Sequence, residues 1–480
     1  MWTISLQNEV TNALVRKSEA AMCIWSHALG GELQREDIFK TQCIGFLVSM
    51  LERGQVEEKH AACGALYALA QSDKHLPEVV SPRVIQGAAA LLGGDHDRSR
   101  LPAAQFLAFL AKRLEYSARV AEAALPALLA ACSSGAVPGW SGSRFTALQC
   151  VTALRCLVEN VQGEQTALKV LRRKALVEMG AVPTLVELVA YQPRMPDPSQ
   201  VPASLPPSGR RPASLRRSKS GKKKGSKGKA GDERPAAGRK DHTATQAAAC
   251  LRFLALCPQF TQHLLESGSL AKLVAALRNA SSEQAAFIAG ILWEITADAN
   301  VAQLVLEAEG VSALLHVIST NLGQSKGKRK ARPKKAKSTP ASASTPAKES
   351  KPDKPEAAAL PFYPEIAVCN AAGALHHLTF LDQAKQQVGQ LGAQILALCL
   401  KSAQKARSPQ TFENATGALW NCGLDAVASA RLVEAGVPGY LAKPVPAHWV
   451  VAGEQRSPSP LQALPGHDPG PSPFLTQQHH

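Results

Sequence analysis

The chain has 480 residues, of which 45% are hydrophobic but only 5% aromatic, and a formal net charge of +16. Its eleven cysteines form no CxxC pair, no apolar run reaches the roughly 18 residues that a membrane span needs, and the N-terminal MWTISLQNEV lacks a secretory apolar core. We therefore expect no disulfide scaffold, no zinc framework and no membrane span, and a helix-rich cytoplasmic or nuclear protein.

A short signature recurs along the chain: a small residue, Ala or Ile, Leu, then an aromatic residue or His. It is clearest at residues 64–67, 290–293, 373–376 and 417–420. We call its third residue the anchor, and looser copies complete the series. The anchors are Ile24, Leu66, Leu107, Leu154, Leu251, Leu292, Leu375 and Leu419. They step by 42, 41, 47, 97, 41, 83 and 44 residues, which indicates a repeat interrupted by insertions in the two long steps.

A second marker runs in phase with the anchors. Gly268, Gly310, Gly392 and Gly436 open an apolar stretch 17 or 18 residues after an anchor, and Gly180 does so after 26. Glycine commonly ends one helix in a left-handed cap before the next helix begins. Apolar residues then follow at helical spacing, so each repeat is predicted to hold successive helices, the last of which carries the anchor.

Two stretches resemble the halves of the armadillo consensus: residues 180–189 (GAVPTLVELV) and 413–422 (ENATGALWNC). Residues 41–70 match the whole unit, with Gln42 where Gly is usual. The resemblance covers roughly residues 15–440 apart from two basic segments. It implies an all-α fold, a right-handed superhelical solenoid of about eight three-helix repeats whose third helices line a concave groove. HEAT repeats are the structural alternative.

The repeats and basic segments divide the chain. We predict N-terminal repeats at 15–192, a disordered basic insert at 193–240, central repeats at 241–320, a second disordered basic insert at 321–361, C-terminal repeats at 362–442 and a disordered Pro-rich tail at 443–480. The first insert holds 14 Lys or Arg against 3 Asp or Glu, and the second 11 against 3, so the rest of the chain is near neutral.

Both inserts are predicted to interrupt the loop between a second and a third helix, and thus to leave one edge of the solenoid as two basic arms. Such arms attract nucleic acid or other acidic partners, or act as nuclear import signals; inert solubilising inserts are the alternative. The residues chosen for this role are Lys222, Lys223, Lys224, Lys328, Arg329, Lys330, Lys334 and Lys335.

The resemblance does not extend to the import receptors. Importin-α-like third helices carry a Trp two residues before the anchor and an Asn two residues after it, and this chain keeps only Asn421. It looks closer to the vacuolar-anchor, plakophilin and ciliary armadillo proteins. Gly64, Gly290, Gly373 and Gly417 stand at the former Trp position, which favours a partner that approaches closely, such as a helix.

The position directly after the anchor, the post-anchor position, is rich in aromatic residues and arginine, which dominate interface hot spots. We predict that it contacts a protein partner in the groove; packing between repeats, with arginines reaching outward, is the alternative. The predicted groove residues are Trp25, Tyr67, Arg155, Arg252, Trp293, His376, Trp420 and Asn421.

The sequence contains no phosphate loop, HExxH or GxSxG motif, so we assign no catalytic, cofactor or metal residue. The expected function is a non-catalytic protein-binding scaffold or adaptor. The alternative is a protein that binds a polyanion, nucleic acid or an acidic tail, through the basic arms; an enzyme is the third hypothesis. The expected location is cytoplasmic or nuclear, with ciliary association in keeping with the resemblance. The sequence identifies neither the partner nor the oligomeric state.

Overall fold

Every anchor lies on a helix. The computed structural model describes residues 17–94, 96–134, 141–159, 166–191, 242–328, 363–406 and 408–441, which form 23 helices and no strand. The helices are α1 (17–28), α2 (Glu32–Lys40), α3 (Ile44–Arg53), α4 (Val56–Leu69), α5 (Leu76–Val79), α6 (Pro82–Gly93), α7 (Asp97–Ala111), α8 (Leu114–Ser134), α9 (Ser141–Val158), α10 (Thr166–Glu178), α11 (Ala181–Ala190), α12 (His242–Leu254), α13 (Phe260–Glu266), α14 (Ser269–Leu277), α15 (Ser282–Ile295), α16 (Ala299–Glu307), α17 (Gly310–Lys328), α18 (Tyr363–Leu378), α19 (Asp382–Leu391), α20 (Ala393–Ala406), α21 (Pro409–Gly423), α22 (Ala426–Glu434) and α23 (Val437–Leu441).

The helices belong to one compact unit and stack in rows. The anchors lie on α1, α4, α7, α9, α12, α15, α18 and α21, which we call the third helices. From α4 onward, each third helix contacts the next. A second row is formed by α3, α6, α8, α11, α14, α17, α20 and α23, which also contact their neighbours in that order. This arrangement confirms the predicted all-α, armadillo-like solenoid.

The anchors hold the rows together from inside. From Leu66 to Leu419, every anchor is fully or almost fully buried, with no more than 1% of its surface exposed. Ile24, at the first described helix, is only half-buried. Because a repeat cannot cover its own apolar side, each anchor is buried partly by the repeats on either side of it.

Residues in the left-handed conformation form the sharp turn that precedes several helices of the second row. Gly180, Gly268 and Gly436 have φ angles of 79°, 62° and 71°, as the glycine pattern predicts. Two turns use a residue that has a Cβ: Gln42, with φ of 54°, and Glu309, with φ of 62°. The prediction was wrong at two glycines: at Gly310, where the left-handed residue is the glutamate before it, and at Gly392, whose φ is -115°.

The repeats of α6 and α8 also have no left-handed residue at this place, and in α8 the turn itself is missing. Residues 123–126 (AALP) align with residues 180–183 (GAVP), so Ala123 stands where Gly180 adopts its positive φ. Alanine disfavours the left-handed conformation, and the first and second helices continue as the single 21-residue helix α8, with Pro126 inside it.

The two long anchor steps fall at equivalent places in the chain. A second-row helix precedes each interval and a third helix follows it: α11 ends at Ala190 and α12 begins at His242, while α17 ends at Lys328 and α18 begins at Tyr363. The predicted start of the second insert, Asn321, lies inside α17. Its side chain is buried and its amide donates to the carbonyl of Val317 at 2.8 Å.

Helix α10 has an unexpected distribution of side chains. Leu168, Val170 and Leu171 are exposed, whereas Arg172 and Arg173 are buried. The reason is the end of α9, whose last carbonyls have no partner within the helix. Arg173 donates to the carbonyl of Val158 from Nε at 3.1 Å and from Nη2 at 2.9 Å, and Arg172 donates to Leu157 at 3.4 Å. A cation at a helix C-terminus is also favoured by the helix dipole.

Of the helices described, none alone is long and apolar enough to cross a membrane. The pair α16 and residues 310–322 of α17 meets the same length and composition limits jointly, with a bend of 78° at the break.

Replacing Gln42 with glycine should stabilise the fold. Glycine adopts positive φ without the steric cost of a Cβ, which amounts to about 1 kcal/mol. We expect Gln42→Gly to raise the free energy of unfolding in urea by roughly that amount. The reverse change, Gly268→Ala, should lower it by about as much, because that site has open space but a φ of 62°. Equal stability of Gly268→Ala and the parent chain would contradict the account of these turns.

Candidate functional site: the third-helix face

The post-anchor rings pack against the next third helix. We call the position two before the anchor the seat position. A Cβ added at the seat glycine would lie 2.5 Å from the ring of the preceding repeat's post-anchor residue in three cases. These pairs are Trp25 over Gly64, Trp293 over Gly373 and His376 over Gly417. The sequence pattern assigns the space at these glycines to a partner. In the structure, a ring of the chain itself fills that space.

The other post-anchor residues are held differently. Tyr67 packs against Phe106 and Phe109, with ring centroids 6.3 and 5.9 Å away. Half-buried Arg155 binds Glu159, the residue just past the end of its own helix, and donates from Nη1 to Gln246 of α12 at 2.8 Å. These contacts again join neighbouring third helices.

Arg252 is the most buried of the predicted groove residues, with 5% of its surface exposed. Its Nη2 donates to Glu294 of α15 at 2.7 Å, while Nε and Nη1 are buried with no hydrogen-bond partner. An unsatisfied buried donor is costly, so Arg252 contributes less to stability than its burial alone would indicate.

The residue two after the anchor bonds to the preceding helix. Asn421 is buried and donates from Nδ2 to the carbonyl of His376 at 3.4 Å and to Thr379 Oγ1 at 3.2 Å. His377, its equivalent one repeat earlier, donates from Nδ1 to the carbonyl of Trp293 at 3.1 Å. A carbonyl only accepts, so the Nδ1 atom carries the proton. Asn421 is therefore occupied in packing.

Two asparagines make the same kind of hydrogen bond to the preceding third helix, two helical turns before His377 and Asn421. Asn370 donates to the carbonyl of Ala286 at 2.8 Å, and Asn414 donates to that of Cys369 at 3.3 Å. Both asparagines stand five residues before an anchor, and both are buried. Sequence reasoning missed them, although the shared offset of Asn370 and Asn414 from their anchors was a signal that could have found them.

The position five after the anchor, which we call the outer position, lies in the turn just past the end of each third helix and faces solvent along the row. Its residues are Leu29, Gln71, Lys112, Glu159, Leu256, Ala297, Phe380 and Leu424. All are exposed except Glu159, which is half-buried. We define the third-helix face by these residues. Phe380 is 66% exposed and stacks on His376 with ring centroids 5.8 Å apart, so post-anchor and outer residues form neighbouring pairs on this face.

Trp420 differs from the other post-anchor rings, since 70% of its surface is exposed. It lies on α21, and among the described residues only α22 and α23 follow, which provide no further seat. Of the predicted groove residues, only Trp420 is exposed; Arg252 and Asn421 are buried, and the other five are half-buried. Whether any of them contacts a partner stays a prediction.

The basic residues selected from the sequence fall almost entirely outside the described part of the chain. Lys328 is the last residue of α17. Lys222, Lys223, Lys224, Arg329, Lys330, Lys334 and Lys335 lie outside the described residues.

Several buried cysteines are poor nucleophiles. All eleven are free, and most are buried. Burial raises the pKa of the Cys63, Cys250 and Cys399 thiols to about 12, so they stay protonated at neutral pH. Within the described ranges, no group of three or more His, Cys, Asp or Glu side chains is placed to hold a metal ion.

Comparison with known proteins agrees with the fold. No protein-family model and no curated protein matches the chain. An engineered protein matches with a TM-score of 0.52 at 16% identity over 87% of this chain and 78% of that one. A structure from work on a phosphorylation switch between cadherin and beta-catenin matches with 0.55 at 11% identity, over 92% and 72%. A designed armadillo repeat protein reaches only 0.41 at 16% identity, over 70% and 99%. The two matches with TM-scores above 0.5 show an armadillo-like fold, but they identify no subfamily and no function.

Filling a seat should destabilise the solenoid. In Gly373→Ala the new methyl group meets the Trp293 ring at 2.5 Å and Asn414 Nδ2 at 2.9 Å. Overpacking typically costs about 1–3 kcal/mol, which outweighs the gain of up to about 1 kcal/mol from replacing a helical glycine. The matched control is Gly45→Ala, an exposed helical glycine with open space around it. Urea unfolding should show a loss for the first variant and a gain for the second; a gain for both would contradict the seats.

Low pH should lower the stability of the same row of third helices. Burial lowers the pKa of His376, and burial together with nearby His376 lowers that of His377. The unfolded chain then binds protons more readily than the folded one, so this contribution to stability is present above the unfolded pKa of about 6.5 and is lost as pH falls through the lowered folded value.

The free energy of unfolding should therefore decrease from about pH 7.5 to about pH 5.5. The double variant His376→Phe/His377→Asn keeps a ring on Gly417 and, as Asn421 does, a donor for the preceding carbonyl. Its stability should depend less steeply on pH. An unchanged slope would contradict the assignment.

Proposed function

We propose that this chain is a non-catalytic protein-binding scaffold, and that its partner lies along the third-helix face. The observation that carries the proposal is the outer position, where large apolar side chains are exposed at one register of the row: Leu29, Leu256, Phe380 and Leu424. Single exposed apolar residues are common, but apolar residues repeated along one face are typical of interaction sites.

The partner surface is expected to be apolar toward the C-terminal half of the row. From α12 onward, the outer residues are Leu256, Ala297, Phe380 and Leu424, whereas Gln71, Lys112 and Glu159 stand nearer the N-terminus. An amphipathic helix suits this face, because it presents apolar residues on one side and polar residues at its margins. Half-buried Arg155 and its partner Glu159 supply a polar contact beside the apolar part.

The basic arms are proposed as accessory elements. Their charge would speed encounter with an acidic partner and make binding sensitive to salt. The polyanion alternative is that the arms alone bind nucleic acid or an acidic tail. The experiment below distinguishes it from the scaffold proposal. We also propose that the protein is located in the cytoplasm, the nucleus or the cilium. The identity of the recovered partners tests this location.

The experiment is affinity purification from cells, followed by titration of the recovered partner. Three variants are compared with the parent chain: Leu256→Ala/Phe380→Ala, the exposed apolar control Val433→Ala on α22, and a chain lacking residues 193–240 and 329–361. Hot-spot truncations each cost about 1–2 kcal/mol or more, so the double variant should weaken binding at least about tenfold while Val433→Ala does not.

Two results would contradict the scaffold proposal. One is loss of all partners on removal of the arms with full binding by the double variant. The other is nucleic acid recovered only with the intact chain, with a steep loss of affinity as salt rises.

A further inference from the structure

The end of the third-helix row exposes an apolar stretch on and beside α21. Trp420 and Leu424 are 70% and 71% exposed, and Gly423, Ala426 and Val427 are exposed as well. The Asp425 side chain within the stretch accepts from the amide of Ala428 at 2.8 Å and so caps α22. No lysine or arginine interrupts residues 420–427.

The chain itself shows what such a tryptophan packs against. Three post-anchor rings sit over a seat glycine of the next third helix, and each ring is half-buried there. Trp420 has the same place on its helix but no seat above it among the described residues. Its face, however, contains a glycine of its own: a Cβ added at Gly423 would meet nothing within 4 Å.

We propose that this end face pairs with the same face of a second copy, with Trp420 of each copy seated over Gly423 of the other. The two residues are three positions apart on α21, about 4.5 Å along its axis. In a twofold pair with antiparallel α21 helices, both rings therefore reach a seat at once. Leu424 and Val427 extend the contact on either side.

A second copy fits better than an unrelated helix because the face holds both halves of the contact. An unrelated partner needs only a seat for Trp420, whereas a self-complementary surface needs a ring and a seat together, as an isologous twofold interface does. The proposed contact also continues the packing already present between third helices.

The test is self-association of the full chain by sedimentation equilibrium over about 1–100 µM. We expect the parent chain to dimerise. Trp420→Ala, which removes the ring, and Gly423→Leu, which fills the open seat, should each weaken the dimer at least about tenfold. Because Trp420 is largely exposed and Gly423 has free space, both variants should keep the thermal stability of the monomer. The matched control is Gly45→Leu, the same change at another exposed helical glycine with open space.

Mixing the two variants gives a second readout. In a mixed pair, the intact ring of the Gly423→Leu chain meets the intact seat of the Trp420→Ala chain, and the new leucine faces the space left by the missing ring. Equal mixtures should therefore recover part of the association that each variant lacks.

The proposal is overturned if the parent chain is monomeric throughout, if either variant dimerises as the parent does, or if the mixture regains nothing. Dimerisation that begins only on deleting residues 442–480 would likewise overturn it, by showing that the tail covers the face. Leu256→Ala/Phe380→Ala should still dimerise, which separates failure of this proposal from failure of the scaffold function.

Discussion

The contact between a post-anchor ring and the seat glycine of the next repeat sets the spacing of the third helices. Trp293 over Gly373 illustrates it: without a Cβ at Gly373, the two helices approach until the ring lies against the backbone. That approach also brings His377 within reach of the Trp293 carbonyl at 3.1 Å. Packing of this kind is sensitive to single methyl groups, because protein interiors are filled to the density of organic crystals.

The same contact decides which residues remain for function. Rings at the post-anchor position are partly buried between neighbouring third helices, whereas the outer position, four residues further along the chain, is exposed to solvent. His376 on α18 and Phe380 just past its end show the difference: the first rests on Gly417, and the second is 66% exposed. A protein partner is therefore expected to contact the outer residues, with the post-anchor residues supporting them from beneath.

The repeat, its anchors and the all-α solenoid could be predicted from the sequence, because apolar periodicity and recurring spacing lie along the chain. The pairing of Trp293 with Gly373 could not, since it joins positions 80 residues apart and needs the register between two helices. In the sequence, Gly373 indicates only that a side chain is missing. The position of the neighbouring helix is needed to show that the Trp293 ring fills the space. The buried arginines of α10 were equally hidden, because their partners are backbone carbonyls at the end of α9, which have no sequence signature.

The most direct test of the central contact is a double-mutant cycle between Trp293 and Gly373, measured by urea unfolding. Trp293→Ala opens a space and Gly373→Leu fills it, so each single variant should be destabilised and the double variant should lose less than the two losses combined. We expect a coupling of at least about 1 kcal/mol, within the range seen for residues in contact. Additive losses would show that ring and glycine do not share one packing site, and would contradict the account of the third-helix row.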